Sequence, residues 1–243
     1  MGWKRLLVFL FSIGQILMSY FGGFEGEETF AGPIITPAGY AFAIWGVITL
    51  GCVIYGVYQL LPKQRTNKLF DQISLPLLIT FTGFILWIYA ATRSWLWTTV
   101  VIFVSMLISL WWAYSYILKS KQKFNWFENL LIKGTLGLYI GWATVATVIN
   151  AATALNFYGY IYPDIRSITV YIIFLVVALV NSLFGLRKIE YNAYYFGTII
   201  WAFFAVAVRT FEQNSIVLSM ISLTAVGVVI IVWLKGKGFL ISK

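Results

Sequence analysis

The sequence has no histidine at all. Its absence removes the commonest zinc ligand, the usual axial ligand of haem and the side chain that titrates nearest neutral pH, so neither a metal centre nor an imidazole proton relay is expected. Cysteine occurs once, as Cys52 within an apolar run, which excludes an intramolecular disulfide and makes a small packing residue the expectation. Charge is scarce as well, with only 10% of the 243 residues being Asp, Glu, Lys or Arg. Against 61% hydrophobic residues and a mean hydropathy of +0.87, that is too little polar surface to coat a soluble globule.

Apolar runs are what the chain has instead. Several reach 18 residues or more and they recur along the whole length, so a cleaved leader does not account for them. The fold class that follows is all-α, a polytopic helical membrane protein. Turn and charge signals divide it into about eight transmembrane helices, near 4–22, 37–61, 71–91, 95–118, 128–156, 167–186, 191–208 and 215–234.

The formal net charge of +9 would suggest nucleic acid in a soluble protein, but here the cations fall in short loops between apolar runs, where lipid headgroups and insertion explain them. No nucleic-acid partner is expected. Putting both termini on the cytoplasmic side of the plasma membrane places Lys4, Arg5, Lys63, Arg65, Lys68, Lys119, Lys121, Lys123, Arg187, Lys188, Lys235, Lys237 and Lys243 inside. Only Arg93, Arg166 and Arg209 then fall outside, and Lys133 lies one turn into the fifth span, near enough to snorkel inward. The same topology puts the loop 23–36, with Glu25, Glu27 and Glu28, outside.

The other acids are Asp71, Glu128, Asp164, Glu190 and Glu212, each in a loop or at the end of a span. No carboxylate is left at mid-membrane, where ion-coupled transporters commonly keep one, and this weighs against active transport. Ser and Thr are frequent, but none has a histidine or an evident buried lysine and acid beside it, so no catalytic residues are assigned and an enzyme is not the leading expectation. The polar groups at depth are Gln15, Asn150 and Asn181. Each is expected to make an interhelical hydrogen bond, worth roughly 0.6–2 kcal/mol in a membrane bundle, unless its neighbours give it more to do.

Two stretches stand out. In "ITPAGYAFAIWGVITLG", residues 35–51, Thr36 suits an N-cap and Pro37 the first helical position, so Pro33 and Pro37 would stiffen the way into the membrane. Ala38, Phe42, Trp45, Thr49 and Cys52 then share one stripe, with Tyr40 to one side. In "LGLYIGWATVATVINAAT", residues 136–153, Gly137 and Gly141 permit close helix approach, and Ala143, Thr147 and Ala151 continue the small-residue seam. A second face carries Trp142, Ala146 and Asn150, one aromatic, one gap and one amide in line. A faint echo of "YAFAIW" (40–45) in "YFGTIIW" (195–201) is what chance allows in a chain that is 19% aromatic.

The segments "TPAGYAFAIW" (36–45) and "WATVATVIN" (142–150) resemble the second- and fifth-helix motifs of the tryptophan-rich sensory protein and translocator (TspO/MBR) family, and the 11 Trp residues are in keeping with it. The likeness covers residues 1–156 as a five-helix transmembrane bundle and leaves 157–243 as a three-helix extension. It departs from the family pattern in the third span, where "LLITFTGFILWIYA" (77–90) offers Trp87 but no Asn, and in the spacing of Pro33 and Pro37.

The resemblance implies a pocket among the helices for a porphyrin or another planar hydrophobic ligand, including sterols, in a sensory, protective or trafficking role. Carried over by motif position, Trp45, Trp142, Ala146 and Asn150 line that pocket, with Phe42, Tyr40 and Ala38 as supporting residues. Flat apolar rings stack on Trp and Phe, and small residues admit their edges. Without histidine, the expected guest is a metal-free porphyrin or a weakly ligated haem, and no cofactor is required. Anchoring at the membrane interface is the alternative for Tyr40 and Phe42. A loose cholesterol pattern, Leu155, Tyr160 and Arg166, is explained better by an aromatic interfacial belt. The expected partners are membrane lipid and a small hydrophobic ligand, with a homodimer left open. Three other functions stay open: a facilitative transporter of a small metabolite, an enzyme degrading the porphyrin, and a membrane scaffold.

Overall fold

A computed structural model describes residues 2–22 and 32–239; the acidic residues Glu25, Glu27 and Glu28 and the terminal Lys243 lie outside the described residues. Among those residues there is no strand, and eight helices are long and apolar enough to cross a membrane. They are α1 (Trp3–Phe21), α2 (Ile44–Tyr58, entered through a 3-10 turn at Gly39–Ala43), α3 (Lys68–Thr92), α4 (Leu96–Lys119), α5 (Trp126–Phe157), α6 (Ile168–Lys188), α7 (Ala193–Glu212) and α8 (Ile216–Gly236). All eight expected spans are present, because apolar runs of that length can satisfy their backbone in lipid only as helices. The protein is an integral membrane protein.

The contacts gather the described chain into two compact units: residues 2–22 with 44–140, and residues 32–43 with 141–239. In the first unit, α3 and α4 form an antiparallel hairpin. Ser94 turns the chain with φ 58°, and the amide of Trp95 closes the turn on the carbonyl of Ala90 at 2.9 Å. Gly83 lets the pair close up, since a Cβ there would come within 2.5 Å of Met106 Cγ. Arg5, counted above among the loop cations, is instead almost fully buried. It donates to Asp71 at 2.7 Å and to the carbonyls of Gln64 and Asn67 at 2.6 Å each, tying the connection between α2 and α3 to α1. At the same end Asn125 and Glu128 form a capping box at the start of α5, and Tyr58 donates to Glu128 Oε1 at 2.8 Å. A π-helical turn, Asn129–Gly134, follows within α5. Gln15 accepts from the Tyr139 hydroxyl at 3.1 Å, the interhelical bond expected of it.

The second unit is built on α5 from Gly141 onward, α6, α7 and α8. Glu190 and Tyr191, both at positive φ, turn α6 into α7, and Asn192 then caps α7 by accepting from the amides of Tyr194 and Tyr195. Gly141 brings α5 against α7, where a Cβ would lie 2.9 Å from Thr198 Cβ and 3.2 Å from the carbonyl oxygen of Tyr195. The Tyr195 hydroxyl, fully buried, donates to the carbonyl of Ser182 in α6 at 3.1 Å. Ser219 of α8 donates to the carbonyl of Ala207 in α7 at 2.9 Å.

One expectation about the second span is corrected here. Thr36 does not cap a helix: its hydroxyl and its amide both donate back to the carbonyl of Pro33, at 2.8 Å each. Pro37 disfavours the helical region for Thr36; the 3-10 turn opens at Gly39 and regular α-helix only at Ile44. Residues 33–38 therefore run as a buried, non-helical strap.

Candidate functional site

Buried irregular backbone needs partners for its polar groups, and the strap finds them in its own unit. The amide of Ile34 donates to the carbonyl of Pro163 at 3.0 Å, and that of Ala38 to the carbonyl of Ala205 in α7 at 3.1 Å. The amide of Ala41 turns back to Ala38 at 2.9 Å, opening the 3-10 turn. From α7 the indole Nε1 of Trp201 donates to the carbonyl of Ala41 at 3.1 Å. The rings of Tyr40 and Trp201 meet edge to face at 5.3 Å.

Six of the seven expected ligand residues lie in this unit: Ala38, Tyr40 and Phe42 on the strap and its turn, and Trp142, Ala146 and Asn150 on α5. Phe42 and Trp142 meet edge to face, with ring centroids 5.6 Å apart and planes at 82°. Trp142 and Ala38 are buried, Phe42, Ala146 and Asn150 are half-buried, and Tyr40 is exposed. Asn150 donates from Nδ2 to the carbonyl of Ala146 at 2.8 Å, so this amide hydrogen bonds back along its own helix. The arrangement offers an aromatic pair with a small residue, Ala146, one helical turn after Trp142, while Ala38 precedes the 3-10 turn that carries Phe42.

Trp45, the seventh, belongs to the first unit. It is buried there in a cluster with Phe84 (4.8 Å), Trp87 (5.6 Å), Phe103 (6.5 Å) and Tyr139 (5.6 Å). The 3-10 turn between Gly39 and Ala43 breaks the stripe that a continuous helix would have drawn from Ala38 to Cys52. Trp87, noted above in the third span where the family's Asn is lacking, is a core member of this cluster.

Sequence reasoning missed Trp201. Its only signal was the weak echo of 40–45 in 195–201, and neither its bond to Ala41 nor its contact with Tyr40 can be read from local spacing. The residues of the loose cholesterol pattern are otherwise occupied at Arg166, which forks onto the Asp164 carboxylate at 2.9 and 2.7 Å and lies 4.0 Å from the Tyr162 ring centroid. Those hydrogen bonds hold the Asp164 carboxyl below its ordinary range.

No curated protein and no solved structure matches the chain. A family model does, over residues 6–234, so that the match runs from the first helix into the last. The chain belongs to the family described as TSPO-like protein.

Proposed function

We propose that this TSPO-like membrane protein binds a planar hydrophobic ligand, most directly a porphyrin, in a sensory, protective or trafficking role. The observation that carries the reading is the Phe42–Trp142 pair, in which a buried indole and a half-buried ring meet edge to face, with Ala146 and Asn150 following on the helix of Trp142. Edge-to-face pairs accept a further flat ring by offset stacking, and small side chains next to them leave room for its rim. Tyr40 shares the 3-10 turn with Phe42, and Ala38 precedes that turn and accepts from the Ala41 amide; both are assigned to the proposed site. Trp45 belongs to the proposed ligand set by its motif position alone.

Protoporphyrin IX titrated into detergent-purified protein should quench tryptophan fluorescence saturably. Trp142→Ala should weaken that binding roughly tenfold, the order expected for one lost stacking partner. Quenching that never saturates, or that is unchanged in Trp142→Ala and Trp45→Ala together, would remove the proposal. Flux of small metabolites into liposomes carrying the protein, without porphyrin binding, would favour a facilitative transporter instead.

A further inference from the structure

The α3–α4 hairpin carries two depressions. At the end where α3 starts and α4 stops, a cavity of about 420 Å³ is lined by Lys68, Gln72, Tyr116, Lys119, Ser120 and Gln122 among others. Neither Asp nor Glu lines it. The nearest acid along the chain, Asp71, is held by Arg5 at 2.7 Å. Lys63, Arg65, Lys121 and Lys123 lie in the chain segments flanking the same end and add to its positive field. Farther along the hairpin a groove of about 380 Å³ is lined by Ile79, Thr82, Gly83, Leu86, Ile102 and Ser105.

Both depressions lie on one seam. Lys68, Gln72, Leu75, Ile79 and Leu86 follow one another at spacings of three, four and seven, which keeps them on one face of α3. Ser105, Trp112 and Lys119 do the same at intervals of seven on α4. The stretch between the depressions is exposed and apolar, with Leu75 41% and Trp112 40% accessible. From Gln72 to the groove at Ile79–Leu86 is 7–14 residues, a rise of about 10–21 Å. One leaflet of a bilayer core is about 15 Å deep.

We infer that this seam binds one anionic phospholipid, its phosphate in the lysine-lined cavity and one acyl chain in the apolar groove. The two ammonium groups neutralise the phosphate, the side-chain amides and hydroxyls can donate to its oxygens, and the groove takes the chain at the depth where a lipid tail lies. Neither depression alone would name the ligand: lysines fit any phosphate, and a groove fits any apolar guest. Their shared seam, at the spacing of a headgroup and its chain, selects a lipid.

The test uses the full chain in mixed micelles, with phosphatidylglycerol and phosphatidylcholine of identical acyl chains as probes and native mass spectrometry and thermal melting as readouts. Phosphatidylglycerol should bind at least tenfold more tightly and raise the melting temperature more. Lys68→Gln with Lys119→Gln should abolish that preference, and Lys68→Arg with Lys119→Arg should keep it. Both lysines are exposed, so folding is retained, and circular dichroism checks this. Ser105→Trp, which fills the groove from an exposed position, should weaken binding of both lipids severalfold. Glycerol phosphate alone should bind at least tenfold less tightly than phosphatidylglycerol; equal binding would make the cavity a site for soluble phosphate esters and overturn the lipid assignment. Equal affinity for the two lipids, or an unchanged preference in the double Gln variant, would overturn it as well. A doubled mass that Ser105→Trp abolishes would place a second copy of the chain in the groove and also refute it.

Discussion

Trp201, in α7, donates its indole N–H to the carbonyl of Ala41 at 3.1 Å and so holds the 3-10 turn that leads into α2. The carbonyl lies in the 3-10 turn and not in regular α-helix, and the indole ties that turn to another element. Trp201→Phe keeps a ring against Tyr40 but removes that donor. The expected cost is about 0.5–1.5 kcal/mol, with faster hydrogen exchange at the amides of Ala38 and Ala41. Exchange as slow as in the parent would show that the bond does not hold the turn.

Arg5 is the most deeply buried cation in the first unit, and its guanidinium serves one carboxylate and the carbonyls of Gln64 and Asn67. Arg5→Leu leaves the part-buried carbonyls of Gln64 and Asn67 without their donor and should lower stability by about 1–3 kcal/mol. Asp71→Asn should cost less, because an Asn oxygen can still accept from Arg5 Nε, the Gln64 and Asn67 carbonyls remain, and the charge lost is on a 56% exposed side chain. Thermal melting of the two variants in one detergent gives the order; the reverse order would contradict the clamp.

Two glycines separate a packing requirement from a conformational one. At Gly141 a Cβ would press on Thr198 and on the backbone of Tyr195, so Gly141→Ala should destabilise by about 1–3 kcal/mol. At Gly46 nothing lies within 4 Å of an added Cβ, and Gly46→Ala on α2 should be neutral or stabilising by up to about 1 kcal/mol. Equal melting temperatures for the two variants would mean that α5 and α7 do not approach as closely as described.

The eight spans were legible because hydropathy over about twenty residues overrides local detail; in lipid, each such run has one way to satisfy its backbone. What local spacing could not show was where a polar or aromatic group finds its partner. Arg5 looked like a loop cation until Asp71 and the connection after α2, more than fifty residues away, closed around it. Thr36 and Pro37 had the composition of a helix start, yet bonds to Pro163 and Ala205, far along the chain, hold the strap out of helix. Trp45 and Trp142 carry the family motifs and were expected together. Phe84, Trp87, Phe103 and Tyr139 cluster around the first and Phe42 packs on the second, and motif spacing alone showed neither set of neighbours.

The central claim is that the face beside Phe42 and Trp142 receives a planar ring. The most direct measurement is the dissociation constant of protoporphyrin IX, read from its absorption spectrum, for the parent, Phe42→Ala, Trp142→Ala and Trp126→Ala, the last removing a 77% exposed indole at the start of α5. The account predicts roughly tenfold weaker binding for Phe42→Ala and Trp142→Ala and an unchanged constant for Trp126→Ala. Equal constants across all four proteins would contradict it.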